Sequence, residues 1–142
     1  MRDEYEVIDR LPTLEEYHAI CRAVGWEDYI NFDVAAESIE NSLFGVVAVH
    51  HQRVIGMGRV VGDGRIYFYI QDIAVIPDYQ SRGVGGRMMD RLVEILEQRA
   101  PEKAFIALFA ANGKEPFYRK YGLNNHDGLE GMFGVKHNGK IV

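Results

Sequence analysis

The sequence predicts an α/β (α+β) fold, and three observations carry that prediction. Apolar residues recur at helical spacing in two stretches: Leu14, Tyr17, Cys21 and Val24, then Val84, Met88, Leu92, Ile95 and Leu96. Between these stretches lie three β-rich runs, residues 44–50, 53–61 and 66–75. A short apolar run at residues 104–109 fits a strand buried on both faces.

Each element has a local reason. Residues 5–8 read as a first strand. Thr13 and Glu16, just after Pro12, form a capping box that starts the first helix, and Gly25 ends it. A second helix is expected over residues 33–42. The runs 44–50 and 53–61 are joined by a tight turn, and Asp63-Gly64 is a hairpin signal leading into residues 66–75. The apolar stripe that begins at Val84 ends near Pro101. Residues 112–120 read as a short helix closed by Gly122 at C′, and residues 132–136 as a last strand. With no repeat, low-complexity tract or linker, residues 1–142 are expected to form one domain.

Composition narrows the function classes. A chain of 142 residues buries about two thirds of the surface its unfolded form exposes. No apolar run approaches the ~18 residues of a membrane span, so no membrane partner is expected. Met1-Arg2-Asp3-Glu4-Tyr5 lacks a signal-peptide core, and one cysteine precludes an intrachain disulfide, so a cytoplasmic location is expected. Cys21 lies on an apolar stripe and reads as an inert core thiol. The five histidines show no metal-ligand spacing, so no metal is expected; His50 and His51 fall at a turn and read as solvated. A net charge of −5 argues against nucleic acid as a partner and confines any anion site to a local patch, for which Arg82, Arg87 and Arg91 are available.

The second helical stretch begins with an anion-site pattern. A strand ending before Pro77 leads into a turn with glycines at 83, 85 and 86. Bare amides at a helix N-terminus lack intrahelical partners, and the macrodipole adds roughly half a positive charge. Arg82 and Arg87 can add charge-assisted bonds to a pyrophosphate. Met88 stands where G-x-G-x-x-G needs its third glycine, and no G-K-[ST] follows, so dinucleotide and P-loop readings fail. Gln80-Ser81-Arg82-Gly83-Val84-Gly85 instead resembles the Q/R-x-x-G-x-G/A signature of the GNAT acetyltransferase superfamily. The element order β-α-α-β-β-β-α-β-α-β is also similar to that fold. The resemblance implies a mixed, mostly antiparallel sheet with helices on both faces.

It also implies a function: direct transfer of an acetyl group from acetyl-CoA to a primary amine of a small molecule, in a ternary complex. On this resemblance Gln80, Ser81 and residues Arg82, Gly83, Val84, Gly85, Gly86 and Arg87 hold the pyrophosphate. Ile73, Ala74 and Val75 lie on the strand whose backbone pairs with the pantetheine arm, and that strand splays from the next. Phe117-Tyr118-Arg119-Lys120-Tyr121-Gly122-Leu123 resembles the family's F-Y-x-K-x-G-F block, with Leu123 in place of phenylalanine. Tyr118 is thereby the candidate proton donor to the CoA thiolate; packing between helix and sheet is the other reading. Asn112 resembles the family's CoA-contacting asparagine, although it lies six residues before Tyr118, one fewer than that pattern.

The acceptor side rests on fewer signals. A lysine-like amine, with a pKa of ~10.4, must lose a proton before it attacks. Strand alternation puts Ile66, Phe68, Ile70, Asp72 and Ala74 on one face, where a carboxylate is costly unless partnered. Asp72 is therefore either a base or amine-orienting group, or a structural carboxylate. Gln71-Asp72-Ile73-Ala74-Val75 looks like the E-D-x-x-V run of amino-sugar acetyltransferases, with Gln71 replacing glutamate. Trp26, Tyr29 and Phe32, together with Tyr67 and Tyr69, either line an acceptor cleft suited to an aryl-alkyl amine or cation, or cap the core. The alternatives to a small-molecule enzyme are a non-catalytic acyl-CoA-binding module and a protein-lysine acetyltransferase. Members of the family commonly dimerise, which leaves a homodimer open.

Overall fold

The computed structural model describes residues 4–142; Met1, Arg2 and Asp3 of the N-terminal reading lie outside the described residues. The chain forms two compact units, one ending at Leu108 and the other spanning Phe109–Val142.

The first unit contains β1 (Glu6–Ile8), α1 (Leu14–Ala23), α2 (Ala35–Glu40), β2 (Phe44–His50), β3 (Arg53–Gly62), β4 (Tyr67–Val75), α3 (Val84–Arg99) and β5 (Phe105–Ala107). Its sheet runs β1-β2-β3-β4-β5, with the first four strands antiparallel and β5 parallel to β4. This is the mixed, mostly antiparallel sheet that was expected.

Local chemistry sets the boundaries. The capping box forms as read: Glu16 N–H donates to Thr13 Oγ1 at 3.1 Å and Thr13 N–H to Glu16 Oε1 at 2.9 Å. The β2–β3 hairpin turns through His51 and Gln52, both at positive φ (50° and 65°), and His50 is the last residue of β2 rather than part of the turn. In the next hairpin Asp63 Oδ1 accepts the N–H groups of Arg65, Ile66 and Tyr67 at 2.8–2.9 Å. Those bonds hold its carboxyl below the usual range and place Ile66 in the loop, so β4 begins one residue later than expected.

The core is β2, β3 and α3: Val46, Val47, Ile55, Val60, Met88, Met89 and Leu92 are fully buried. A glycine brings α3 down onto the sheet. A Cβ on Gly58 would lie 2.5 Å from Ile73 Cδ1 and 3.2 Å from Leu92 Cδ1. The next residue, Arg59, points to the opposite face, where it meets Tyr17 of α1 and Ser38 of α2. Helices therefore cover both faces.

The last strand of this sheet departs from expectation. β5 is three residues long, and Phe105 is 51% exposed. Among the described residues it pairs only with β4, and residues 104–109 are half-buried or exposed, so its faces are not covered as the apolar run suggests.

The second unit contains α4 (Glu115–Arg119), β6 (Lys136–His137) and β7 (Lys140–Ile141). Gly113, at φ 86°, holds the backbone out of the helical region, which delays α4 by three residues relative to the sequence reading. The final strand begins at Lys136 rather than at residue 132. It pairs across Asn138-Gly139, both at positive φ (50° and 79°), an Asn-Gly hairpin turn.

Candidate functional site

The residues expected to hold the donor lie where β4 runs into α3. β4 pairs with β5 only through Tyr67↔Phe105, Phe68↔Ile106 and Tyr69↔Ala107. From Ile70 to Val75 that edge carries no strand partner among the described residues. A 3₁₀ turn, Pro77–Tyr79, follows, and Gln80 Nε2 donates to the Val75 carbonyl at 2.9 Å, fastening the turn to the strand end. Ser81 and Gly83 take positive φ (63° and 84°), which turns the chain into α3. The first helical bond runs from Arg87 N–H to the Gly83 carbonyl at 3.1 Å, so the Val84 and Gly85 amides precede the helix ladder. Val84 is buried under the turn, while Gly83 has open space around its α-carbon.

Two of the three arginines flank this turn with their side chains exposed. The Arg82 guanidinium lies 5.3 Å from the Tyr79 ring centroid and that of Arg87 4.8 Å from Tyr5. Arg91 is committed elsewhere: it binds Asp9 at 2.6 Å and also Glu94, so it does not extend the anion patch. A shallow groove of about 290 Å³ along α3, lined by Val7, Arg87, Asp90, Arg91 and Glu94, is offset by its own carboxylates.

At Asp72, the residue expected on the acceptor side, strict alternation fails. Arg59 pairs with Gln71 and Met57 with Ala74, so Asp72 and Ile73 together oppose Gly58 in a β-bulge. Asp72 sits at φ 59°, a left-handed value. The bulge turns its carboxylate away from the face of Phe68 and Ile70 and toward α1. Arg59 Nε donates to Asp72 Oδ2 at 2.7 Å, and the Tyr17 hydroxyl donates to the same oxygen at 3.1 Å. Both Asp72 and Arg59 side chains are 11% exposed. Arg59 also donates to the Ser38 carbonyl and Ser42 hydroxyl at 3.0 Å each, and to the Ser38 hydroxyl at 3.2 Å. Among the described residues Oδ1 of Asp72 receives no bond.

The aromatic residues divide. Phe32 stands edge-on to Tyr17 at 6.3 Å and stacks on His18 at 4.0 Å, which joins it to the Asp72 cluster. Tyr69 pairs with Val61, placing it on the Arg59 face, and burial raises its phenol pKa. Tyr67 is exposed against Phe105, and Tyr29 is 83% exposed. Trp26 caps α1 through its N–H to the Cys21 carbonyl at 2.8 Å. Burial, then the Asp72 charge, raises the Tyr17 phenol pKa and pushes the Cys21 thiol up to about 11.

Tyr17 and Arg59 escaped the sequence reading. The signal for Arg59 was a lone cation inside the apolar run Val54–Val61, since a buried charge requires a partner. In the second unit, Tyr118 is half-buried on α4, edge-on to Phe117 at 4.9 Å, and burial raises its phenol pKa. Asn112 is exposed in the turn before that helix.

The open edge of β4, the glycine turn and the N-terminus of α3 thus follow one another along the chain. The acetyltransferase (GNAT) domain family matches residues 13–137, and the chain belongs to that family. It is 31% identical over 131 residues to histone acetyltransferase TAP1 of Glycine max, covering 83% of this chain and 55% of that protein. It is 30% identical over 126 residues to GCN5-related N-acetyltransferase 1, chloroplastic, of Arabidopsis thaliana, covering 87% and 62%. The chain thus spans roughly three fifths of these two curated relatives. The structure of SA2161 from meticillin-resistant Staphylococcus aureus, a protein of unknown function described as a probable acetyltransferase, is similar at a TM-score of 0.85 and 30% identity, covering 94% of this chain and 100% of that one. Among the described residues, no helix is long and apolar enough to cross a membrane.

Proposed function

We propose that this chain transfers an acetyl group from acetyl-CoA to a primary amine of a small molecule by direct attack. The observation that carries the reading is the free edge of β4 leading straight into the Gly83 turn. A helix N-terminus with flanking arginines suits a pyrophosphate, and an unpaired strand edge suits the amides of a pantetheine arm. These features fit the donor, with Ile73 to Val75 and residues 80–87 as the residues that hold it.

The amine nitrogen attacks the thioester carbonyl carbon, the carbon–sulfur bond breaks, and the sulfur leaves as a thiolate. Tyr118 supplies the proton to that sulfur; its phenol, raised by burial, stays protonated throughout the neutral range. Asp72 receives the cationic acceptor through Oδ1, because Oδ2 is already bound by Arg59 and Tyr17, and takes one proton from the ammonium to solvent before attack; the proton that the new amide nitrogen releases restores the Tyr118 phenol. Phe32 and Tyr17 supply aromatic walls beside it. The lone, buried Cys21 suits a reducing compartment, cytoplasmic or, by the Arabidopsis relative's description, chloroplastic.

A second reading is favoured by the soybean relative named as a histone acetyltransferase: a lysine side chain of a protein as acceptor. A panel of small amines and lysine peptides, incubated with acetyl-CoA and read for free thiol, separates the two. Thiol release with neither class removes the enzymatic reading. With an identified acceptor, Tyr118→Phe should lower kcat by about 10²-fold. It should also abolish the alkaline fall in rate that phenol ionisation causes in the parent, and an unchanged pH profile would exclude the acid role.

A further inference from the structure

Tyr79 has no part in the signature Gln80-Ser81-Arg82-Gly83-Val84-Gly85, yet it touches both the sheet and that turn. It closes the 3₁₀ turn Pro77–Tyr79, with its N–H donating to the Ile76 carbonyl at 3.0 Å. Its hydroxyl and Nδ1 of His50 lie 2.5 Å apart, and the two rings meet edge-on at 5.3 Å. His50 is the last residue of β2, and its ring lies 4.0 Å from that of His51 in the hairpin turn. On its other side the Tyr79 ring faces the Arg82 guanidinium at 5.3 Å. A continuous path therefore runs from the end of β2 through a half-buried ring to an exposed arginine in the glycine turn.

We infer that Tyr79, fixed by His50, is a positioning residue that holds Arg82 ready for the CoA pyrophosphate. This rests on the donor reading of the α3 N-terminus. An exposed arginine loses side-chain freedom when it clasps a phosphate, and that loss subtracts from affinity. A tyrosine face attracts the guanidinium and limits its rotamers before the ligand arrives. Two bonds fix the ring itself: the backbone turn at its base and His50 at its tip. Arg87, set over Tyr5 at 4.8 Å, shows the same pairing on the far side of the turn. Tyr79 acts on donor binding and has no contact with the acyl group's chemistry.

The test is a double-mutant cycle on the whole chain, with CoA binding measured by calorimetry and steady-state kinetics alongside. Tyr79→Leu should weaken CoA binding about two- to five-fold, the range of an exposed cation–π contact. It should raise the donor KM by a similar factor while kcat at saturating donor stays within two-fold. In an Arg82→Gln background the same Tyr79→Leu change should have no further effect, because the two residues act as a unit. Tyr79→Phe, which keeps the ring and drops the His50 bond, should fall between the parent and Tyr79→Leu. If Tyr79→Leu fails to fold, the Tyr79→Phe and His50→Ala cycles with Arg82→Gln decide the question by the same criterion. Additive effects of the two positions, or parental CoA affinity in the Tyr79 variants, overturn the assignment. Absence of CoA binding by the parent chain itself overturns the donor reading, and this assignment with it.

Discussion

Asp72 and Arg59 illustrate how one residue's environment decides its chemistry. Each side chain is 11% exposed, and the guanidinium is further bound to Ser38 and Ser42. Removing the cation alone leaves an uncompensated buried carboxylate, which costs about 3–5 kcal/mol. Arg59→Met should therefore destabilise strongly in urea titration, whereas adding Asp72→Asn to it should recover part of the loss. A double variant less stable than Arg59→Met alone would contradict the pairing. Asparagine tolerates the left-handed φ of 59° at this position, so the second change tests charge rather than backbone strain. The Cys21 thiol next to this cluster gives a pH prediction. Its ordinary value is 9.0, and in the fold it is pushed up to about 11, chiefly by burial. Between those values the unfolded chain has released a proton that the folded chain retains, so stability is whole below pH 9 and falls as pH rises toward 11. The Tyr17 phenol, also raised, adds its own loss only above its ordinary 10.0. Melting temperatures between pH 9 and 10 should fall in the parent and stay nearly level in Cys21→Ala; equal slopes would exclude the thiol as the cause.

At the scale of elements, two glycines on either side of the site have different jobs. Gly58 has a packing reason: an added Cβ would lie 2.5 Å from Ile73 Cδ1 on the bulged strand. Gly58→Ala should cost about 1–3 kcal/mol as overpacking, measured by urea denaturation. Gly83 has only a conformational reason, since nothing lies within 4 Å of its added Cβ and its φ is 84°. Gly83→Ala should cost about 1–2 kcal/mol of left-handed strain, and should weaken CoA binding more than Gly58→Ala does. Equal CoA affinity in both variants would remove the turn from the donor site. The same contrast explains what the sequence showed. The body of β2 is legible because a β-branched run and a tight turn agree there, although its last residue, His50, also reads as part of the turn. The capping box and Gly83 turn were legible because they are local patterns. The bulge at Asp72 was not, because an extra residue in a strand has no period of its own and appears only against the partner strand. Arg59 and Tyr17 joined the site for the same reason: they reach Asp72 across 13 and 55 positions of chain. An apolar run predicts burial of β5 on both faces, but what packs on those faces comes from distant parts of the chain that the run does not encode.

For the molecule as a whole, the donor reading predicts where a ligand's binding energy should be felt. The net charge of −5 disfavours an anion everywhere except at a local cluster of donors and cations. Ligand bound only to the folded chain raises its stability by about 2.7 kcal/mol at a hundred-fold excess over Kd, so saturating CoA should raise the melting temperature measurably. The distribution of that effect carries more information than its size. If the pantetheine arm pairs with the open edge of β4 and the pyrophosphate meets the α3 N-terminus, two stretches gain partners: residues 70–75, which have no strand on one side, and residues 81–87, which precede or open the helix ladder. Amide hydrogen exchange of the intact chain, with and without CoA, should therefore slow most across residues 70–87. The β1–β2 ladder, Glu6↔Val49 to Ile8↔Val47, is already paired and lies at the other edge of the sheet, so its exchange should slow only by the global stabilisation. Slowing spread evenly over the sheet would mean that CoA stabilises the fold without occupying this edge. Slowing concentrated at β1 and the outer face of α3 would move the donor to the groove beside Val7 and Glu94.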